Sequence, residues 1–287
     1  MSRTDNLTQM AKGESLLSGR PRHRSPSPCL PPFLITLQAI FWVLLVFHLS
    51  LPSCPALGNE EIQEFQALLA EKPIGERIAF WAEKFIGLPY DRDPLGEYVS
   101  RATIVSDARV DCMYLTFRSV ELALSHTPDE AIQVALARRF KSKGVLKDGH
   151  VTNYDDRFQY GEDMIESGKW GKEITSSIGK VVKIEGARGR DFAEVLSSEE
   201  VMRGMRNLKS GDLIFFAKAP KKREVGEIIG HMGIIEVTEA EEGHRTPKVF
   251  LIHASGTKGK GGVVKKVLLR DYLYRMPFVG AKVTRFQ

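Results

Sequence analysis

Cys112 is the residue of this chain best suited to covalent catalysis, because it stands where an irregular stretch changes into a helical pattern. A thiol at a helix N-terminus lies beside unpaired backbone N–H groups and the positive end of the helix dipole, which favour the thiolate. A lone cysteine is more often a small buried apolar residue. Its interpretation as a nucleophile therefore depends on a base elsewhere in the chain.

Two histidines downstream supply that base. His231 and His253 each flank a β-rich run, and the polar segment between the runs, 238–247, predicts a long-looped antiparallel hairpin. A register in which Gly233 faces Leu251 places the two imidazoles opposite each other, with Cβ atoms about 4.5–5.5 Å apart. One imidazole would then take the thiol proton while the second fixes its tautomer. The three residues together predict a cysteine nucleophile served by a histidine pair.

Four short motifs around these residues resemble those of a known family. They are Asp111-Cys112, Gly211-Asp212-Leu213-Ile214-Phe215-Phe216, His231-Met232-Gly233-Ile234 and Ile252-His253-Ala254-Ser255. Over about residues 75–285 the chain is similar to the NlpC-type cell-wall peptidases, a bacterial branch of the papain-like cysteine hydrolases. It most resembles the N-acetylmuramoyl-L-alanine-amidase-like branch, whose cysteine helix also carries threonine and acidic positions, here Thr116 and Glu121.

The resemblance implies an α+β, papain-like fold, in which N-terminal helices, one carrying Cys112, pack on an antiparallel sheet or half-barrel. It implies an exported enzyme that cleaves an amide bond in peptidoglycan or a muropeptide through an acyl-enzyme, with no cofactor and no metal. The oxyanion would be held by the Cys112 N–H and, by resemblance, Tyr90, with Asp111 beside them. Met113 and Tyr114 replace the Ser-Gly of the family's peptidases. Either the muramoyl-L-alanine bond or a stem-peptide bond therefore fits.

Composition agrees with one enzyme domain, 59–287, behind a leader, 1–58. The formal net charge is +5, and about half of it lies in the leader, so the domain lacks the strongly basic character of nucleic-acid-binding proteins. Cys29 and Cys54 belong to the leader, which leaves one thiol and no disulfide framework. The oligomeric state stays open.

The leader predicts export to the periplasm or cell envelope. A nearly continuous apolar run, 33–51, is followed by Ala56-Leu57-Gly58, which is typical of a signal-peptidase site. The run is also long enough for an uncleaved membrane anchor, and Cys54 stands in a lipobox-like context that would allow lipidation. Membrane contact is expected through this leader alone. A later translation start, for example at Met10, is the alternative that the long N-terminal segment leaves open.

Helical patterns surround the cysteine. The sequence predicts one helix capped by Asn59 and ended by Pro73, and a second that places Ile78, Trp81, Ala82 and Phe85 on one face before Gly87. The cysteine helix should bury one side, formed by Leu115, Ser119, Leu122 and Ala123. Thr127-Pro128 and Ser197 are predicted to begin two further helices.

The middle of the chain, 141–196, has an irregular pattern and is predicted to be a loop-rich insertion that serves as a lid or groove wall. Its polar residues His150, Asp155, Asp156 and Arg157 are candidates for substrate contact, although solvated loop positions are the favoured interpretation. Strands are predicted at 213–217, 232–237, 249–254, 263–267 and 279–286, in hairpin order.

Three weaker signals are set aside. The run Gly256-Thr257-Lys258-Gly259-Lys260-Gly261-Gly262 lacks the order of a phosphate-binding loop and enters a strand. A charge run of Lys218, Lys221, Lys222 and Arg223 is typical of a solvated hairpin tip, with an anionic wall or membrane as the alternative. No zinc-site spacing supports metal binding at the cysteine and histidines. A lipid amidase or acyltransferase and a non-catalytic wall-binding module remain the alternative functions.

Overall fold

The computed structural model describes residues 57–239 and 247–287. The basic segment and apolar run of the predicted leader, with Cys29, Cys54 and Ala56, lie outside the described residues, so the expectations about cleavage, anchoring and lipidation stay predictions. Within the described ranges, no helix is both long and apolar enough to cross a membrane.

Five helices make up the N-terminal half of the described chain. They are α1 (Asn59–Leu68), α2 (Ile74–Lys84), α3 (Glu97–Ser100), α4 (Cys112–Ala123) and α5 (Pro128–Arg138). The predicted bounds of the first helix were wrong at both ends. Gly58 is the N-cap residue, without a side-chain bond, and the helix ends at Leu68. Pro73 is the N-cap residue of α2 instead, because its restricted φ favours entry into a helix as much as it prevents continuation of one.

The cysteine helix α4 lies at the centre of this half. Every residue from Tyr114 to Ala123 is buried, so burial extends around the helix beyond the single predicted side. Glu121 points into the core and accepts two 2.6 Å hydrogen bonds from the Arg139 guanidinium. This fully buried ion pair fixes α4 to the end of α5, and removing either partner alone would leave an uncompensated charge.

An antiparallel sheet forms the second half, as predicted. Its members are β3 (Lys172–Glu173), β4 (Val181–Glu185), β5 (Phe192–Leu196), β6 (Leu213–Lys218), β7 (Ile229–Thr238), β8 (Lys248–Thr257), β9 (Gly261–Leu268) and β10 (Phe278–Arg285). The order is β4-β5-β10-β6-β7-β8-β9, with β3 paired to β10. All five strands predicted from the alternation are present, and the mixed α+β class is confirmed. The predicted hairpin order holds from β6 to β9 and is wrong for β10, which pairs with β6 and not with β9.

Both faces of the sheet are covered. Because side chains alternate along a strand, Leu213 and Phe215 of β6 join the core beneath α2 and α4. Ile214 and Phe216 join a second core on the opposite face. That second core is closed by α8 (Ser198–Gly204), which begins at the predicted Ser197 cap, and by α9 (Leu269–Arg275). The sheet is thus held from two sides, which limits movement of the side chains at its ends.

The middle segment is more regular than its composition indicates. It contains a small hairpin, β1 (Leu146–Lys147) with β2 (His150–Val151), the helices α6 (Gly161–Glu166) and α7 (Thr175–Ile178), and the strands β3 to β5. Phe158 and Trp170 are buried in the main core. Short elements of two to six residues give weak periodicity, and long-range contacts decide their conformation.

Candidate active site

The N-terminus of α4 places Cys112 at the first helical position, as the sequence predicts. Asp111 is the N-cap residue, and its Oδ1 accepts a 2.8 Å hydrogen bond from the Tyr114 backbone N–H. Its second oxygen, Oδ2, accepts from Lys258 Nζ at 2.9 Å. The Thr116 hydroxyl donates to the Cys112 carbonyl at 2.9 Å. The cysteine is therefore held between a cap that binds the helix and a lysine from the β8–β9 turn.

The two histidines meet, but not in the predicted register. The hairpin pairs Ile234 with Ile252 and Ile235 with Leu251, two residues away from the expected pairing of Gly233 with Leu251. A shift of two residues keeps every side chain on its original face, whereas a shift of one would reverse it. His231 and His253 thus become diagonal neighbours, and His231 Nε2 lies 2.9 Å from His253 Nδ1.

A β-bulge sets the direction of the His231 side chain. Along the β6–β7 pair, Phe216 faces His231 and the next residue, Ala217, faces Ile229, so Gly230 is the extra residue. Bulges occur near active sites because they redirect a side chain and increase the local twist. Apart from the glycine itself, no residue pattern indicates this bulge.

Glu162 of α6 fixes the strand at that bulge. Its buried carboxylate accepts hydrogen bonds from the backbone N–H groups of Ile228 and Ile229, each at 3.1 Å. Gly161 lies so close to Ile229 that a Cβ atom there would come within 2.6 Å of its side chain. Sequence analysis missed Glu162, because its role depends on a contact between residues 66 positions apart.

Aromatic rings surround the imidazole pair. The His231 ring lies about 6.1 Å, centroid to centroid, from both the Phe216 ring and the Phe278 ring, which are themselves 5.7 Å apart. The Tyr272 ring lies 4.9 Å from the His253 ring and 6.2 Å from the His231 ring. Tyr272 is another residue that sequence analysis did not single out. This aromatic enclosure buries the His253 imidazole, covers part of the half-buried His231 imidazole and restricts the orientation of both.

Burial sets the protonation states. It lowers the pKa of His231 to about 3, helped by the nearby His253, and the pKa of His253 to about 4, helped by Lys265. It raises the pKa of the Cys112 thiol to about 12, with a further increase from the negative charge of Asp111. The expected preference for thiolate at the helix N-terminus is therefore wrong for the resting protein, since desolvation outweighs the helix dipole.

This electrostatic environment predicts a pH-dependent stability. Both histidines bind protons more weakly in the folded chain than in the unfolded one, so their stabilising contribution is complete above pH about 6.5 and is lost as the pH falls toward about 4. We expect the free energy of unfolding, measured with denaturant at successive pH values, to fall across this window. In His231→Gln the fall should be smaller, whereas the exposed His126→Gln should reproduce the wild-type slope. Identical slopes of unfolding free energy against pH in all three proteins would contradict the lowered pKa of His231.

A cavity of about 390 Å³ opens beside the thiol. It is lined by Cys112 and His231 and by two more predicted site residues, Tyr90 and Asp111. His253 is 5% exposed and contacts His231, but it is not among the residues that line the cavity. Of the candidates in the middle segment, Arg157 lines the cavity, and His150, Asp155 and Asp156 do not. A larger cavity of about 500 Å³ beside β4 and β5 is lined by no cysteine or histidine.

Tyr90 lies beside the strand-like stretch that leads into the cysteine. It forms an isolated parallel bridge with Val110, and its backbone N–H donates to the Gly262 carbonyl at 2.8 Å. This N–H is therefore occupied, and only the phenol hydroxyl remains as an oxyanion donor. The ring packs on Gly256, where a Cβ atom would come within 2.3 Å of it. Burial, followed by the charges of Cys112 and Asp111, raises the pKa of the phenol, which favours the protonated, donating form.

Cys112, His231 and His253 are brought into one neighbourhood, but no hydrogen bond joins the Cys112 sulfur to either imidazole within the described residues. Catalytic hydrogen bonds are often long in a ligand-free site and shorten when substrate binds. Across the same part of the chain, no cluster of three or more histidine, cysteine or acidic residues has a geometry suited to a metal ion.

Solved structures share this fold. An N-acetylmuramoyl-L-alanine amidase from Bacteroides uniformis ATCC 8492 is 20% identical, with a TM-score of 0.54 over 74% of this chain and 98% of the other. The Legionella pneumophila protein LPG0564, of family DUF1460, is 16% identical, with a TM-score of 0.58 over 78% and 93% of the two chains. A putative xylanase from Bacteroides fragilis is 18% identical, with a TM-score of 0.51 over 72% and 100%.

No protein-family model and no curated protein matches the sequence. The likeness to the solved structures therefore shows an amidase-like α+β fold. At such low identity it leaves the chemistry to be argued from the residues of this chain.

Proposed function

We propose that this protein is a cysteine hydrolase that cleaves an amide bond in peptidoglycan by Cys-His-His chemistry of the papain-like, NlpC-type kind. One observation carries the proposal. A thiol at a helix N-terminus and an imidazole line one cavity, and the 2.9 Å bond between His231 Nε2 and His253 Nδ1 orients that imidazole. The amidase-like fold supports the same substrate class.

The first chemical step is attack of the Cys112 sulfur on the amide carbonyl. Because the thiol and both imidazoles are neutral at rest, the thiol proton passes to His231 as the carbon–sulfur bond forms. Nε2 of His231 is bonded to His253, which leaves Nδ1 to accept that proton. The resulting imidazolium donates its Nε2–H to His253 Nδ1, so His253 stabilises the charge without itself gaining a proton.

The second step releases the amine and then the acid. His231 returns the proton to the nitrogen of the leaving group, the carbon–nitrogen bond breaks, and a thioester remains on Cys112. A water molecule, deprotonated by His231, attacks the thioester, and the proton then returns to the sulfur. The Cys112 N–H and the Tyr90 hydroxyl are the donors we assign to the negatively charged oxygen of each tetrahedral intermediate.

The cavity lining favours a peptide over an acyl chain. A lipid amidase or acyltransferase would need a strongly apolar groove beside the thiol. Here the wall carries five charged side chains: Asp111, Arg157, Lys218, Glu227 and Lys258. Muropeptides, which are themselves charged, match such a surface.

Purified protein incubated with isolated peptidoglycan provides the test. We expect soluble fragments whose masses correspond to hydrolysis of a muramoyl-L-alanine or stem-peptide bond, identified by mass spectrometry. If the wall and its muropeptides stay intact while the folded protein is present, the proposed function is wrong.

We further propose that the protein is exported. N-terminal sequencing of the mature chain would distinguish cleavage after Gly58 from an intact cytoplasmic chain that begins at Met1.

A further inference from the structure

The charges in the catalytic cavity are not balanced. Lys218 pairs with Glu227, and Lys258 pairs with Asp111. Arg157 lines the same cavity, and it has no carboxylate partner among the described residues. One positive charge therefore remains available beside Cys112.

The backbone of Arg157 is held in place. It forms an isolated antiparallel bridge with Phe140, and the neighbouring Phe158 N–H donates to the Arg139 carbonyl at 2.9 Å. Its Nη1 donates to the Tyr154 carbonyl at 3.0 Å. The guanidinium is thus anchored through one nitrogen. Its Nε and Nη2 have no hydrogen-bond partner within the described residues.

We propose that Arg157 binds a free carboxylate of the substrate and makes the enzyme selective for acidic peptides. This inference rests on the proposed function, and it assigns a specificity-determining residue within the same site. The two remaining donor groups of the planar guanidinium, Nε and Nη2, match the two oxygens of a carboxylate. The ammonium group of lysine cannot form this paired contact. The other cations of the cavity already have carboxylate partners, so a substrate carboxylate would meet Arg157 at the lowest desolvation cost.

The consequence is discrimination between free and amidated stem peptides. A carboxamide in the same place presents one N–H₂ group to a guanidinium that can only donate. Hydrogen bonds to charged groups contribute about 1.5–3 kcal/mol. That range corresponds to a preference of about 10- to 100-fold for the free acid over the amide.

A substrate pair tests the inference. We would measure kcat/KM for muramoyl-L-alanyl-D-glutamic acid and for its carboxamide counterpart, with wild-type protein, Arg157→Gln and Arg157→Lys. Wild type should prefer the acid by about 10- to 100-fold, Arg157→Gln should lose the preference, and Arg157→Lys should retain part of it. Arg203→Gln, which removes an exposed positive charge outside the cavity, should behave as wild type. Equal rates on both substrates in wild type, or an unchanged preference in Arg157→Gln, would overturn the inference.

A second measurement does not depend on peptidoglycan cleavage. Iodoacetate and iodoacetamide both alkylate Cys112 with loss of iodide, but only iodoacetate carries a carboxylate. We expect Arg157→Gln to reduce the ratio of the iodoacetate rate to the iodoacetamide rate about threefold or more. Arg203→Gln should leave this ratio unchanged. If wild type cleaves no muropeptide, the proposed function fails, and this ratio still decides the role of Arg157. An equal ratio in wild type and Arg157→Gln would exclude carboxylate binding.

Discussion

Cys112→Ala is expected to lower the rate of muropeptide hydrolysis by about 10⁴-fold or more, because both chemical steps pass through a bond to this sulfur. The fold should survive the change. Asp111 still caps α4 through the Tyr114 N–H, and alanine is the residue with the highest helix propensity. Product formation measured by mass spectrometry, together with the thermal midpoint of each protein, separates lost chemistry from lost structure.

Two companion measurements sharpen this result. Iodoacetamide should inactivate the wild-type protein by modifying Cys112, slowly at neutral pH, because the raised pKa of the thiol leaves little thiolate. His126→Gln changes an exposed residue that does not line the cavity and serves as the control, with activity close to wild type. Hydrolysis by Cys112→Ala at the wild-type rate would exclude the thiol mechanism.

His231→Ala is expected to lower the single-turnover rate by about 10⁴-fold, the upper end of the range for loss of a general base. Among the described residues, no second imidazole lines the cavity, since His253 is 5% exposed and lies outside it. The assay uses one defined muropeptide, and circular dichroism checks that each variant is folded.

His253→Asn should lower the single-turnover rate clearly less than His231→Ala does. The side-chain carbonyl of asparagine can accept the hydrogen bond that His253 Nδ1 accepts from His231, so part of the orientation is preserved. His253→Leu has a similar volume without an acceptor, and its loss should approach that of His231→Ala. Small and equal losses in all three variants would show that the imidazole pair is not part of the catalytic site.

The sequence predicted the helix and the two strands on which Cys112, His231 and His253 lie. The helix start at Cys112 was readable because an irregular stretch changes there into a pattern with an apolar face, whereas the capping role of Asp111 is apparent only in the structure. The face shared by His231 and His253 was readable because it depends only on the two-residue period of a strand. The exact register of the β7–β8 pair was not readable, because a connection as long as the one between these strands imposes no fixed pairing.

The features that were missed depend on contacts distant in sequence. The thiol pKa follows from burial by the whole fold, whereas the sequence showed only the helix dipole. The bulge at Gly230 and the carboxylate of Glu162 act through backbone groups, which no side-chain pattern reveals. The middle segment lacked long periodic runs, so β3 and β5 became apparent only through their pairing with β10, and β4 through its pairing with β5.

The contact between α6 and β7 places the proposed carboxylate-binding residue and the proposed base on neighbouring parts of the fold. Arg157 and Gly161 line the cavity, and four residues later than Arg157 the same stretch reaches α6, whose Glu162 accepts hydrogen bonds from the strand that carries His231. An exchange of this segment for one from another enzyme would therefore change the alignment of His231 together with the specificity. To transplant selectivity alone, a graft should end before Gly161 and leave the Glu162 clamp in place.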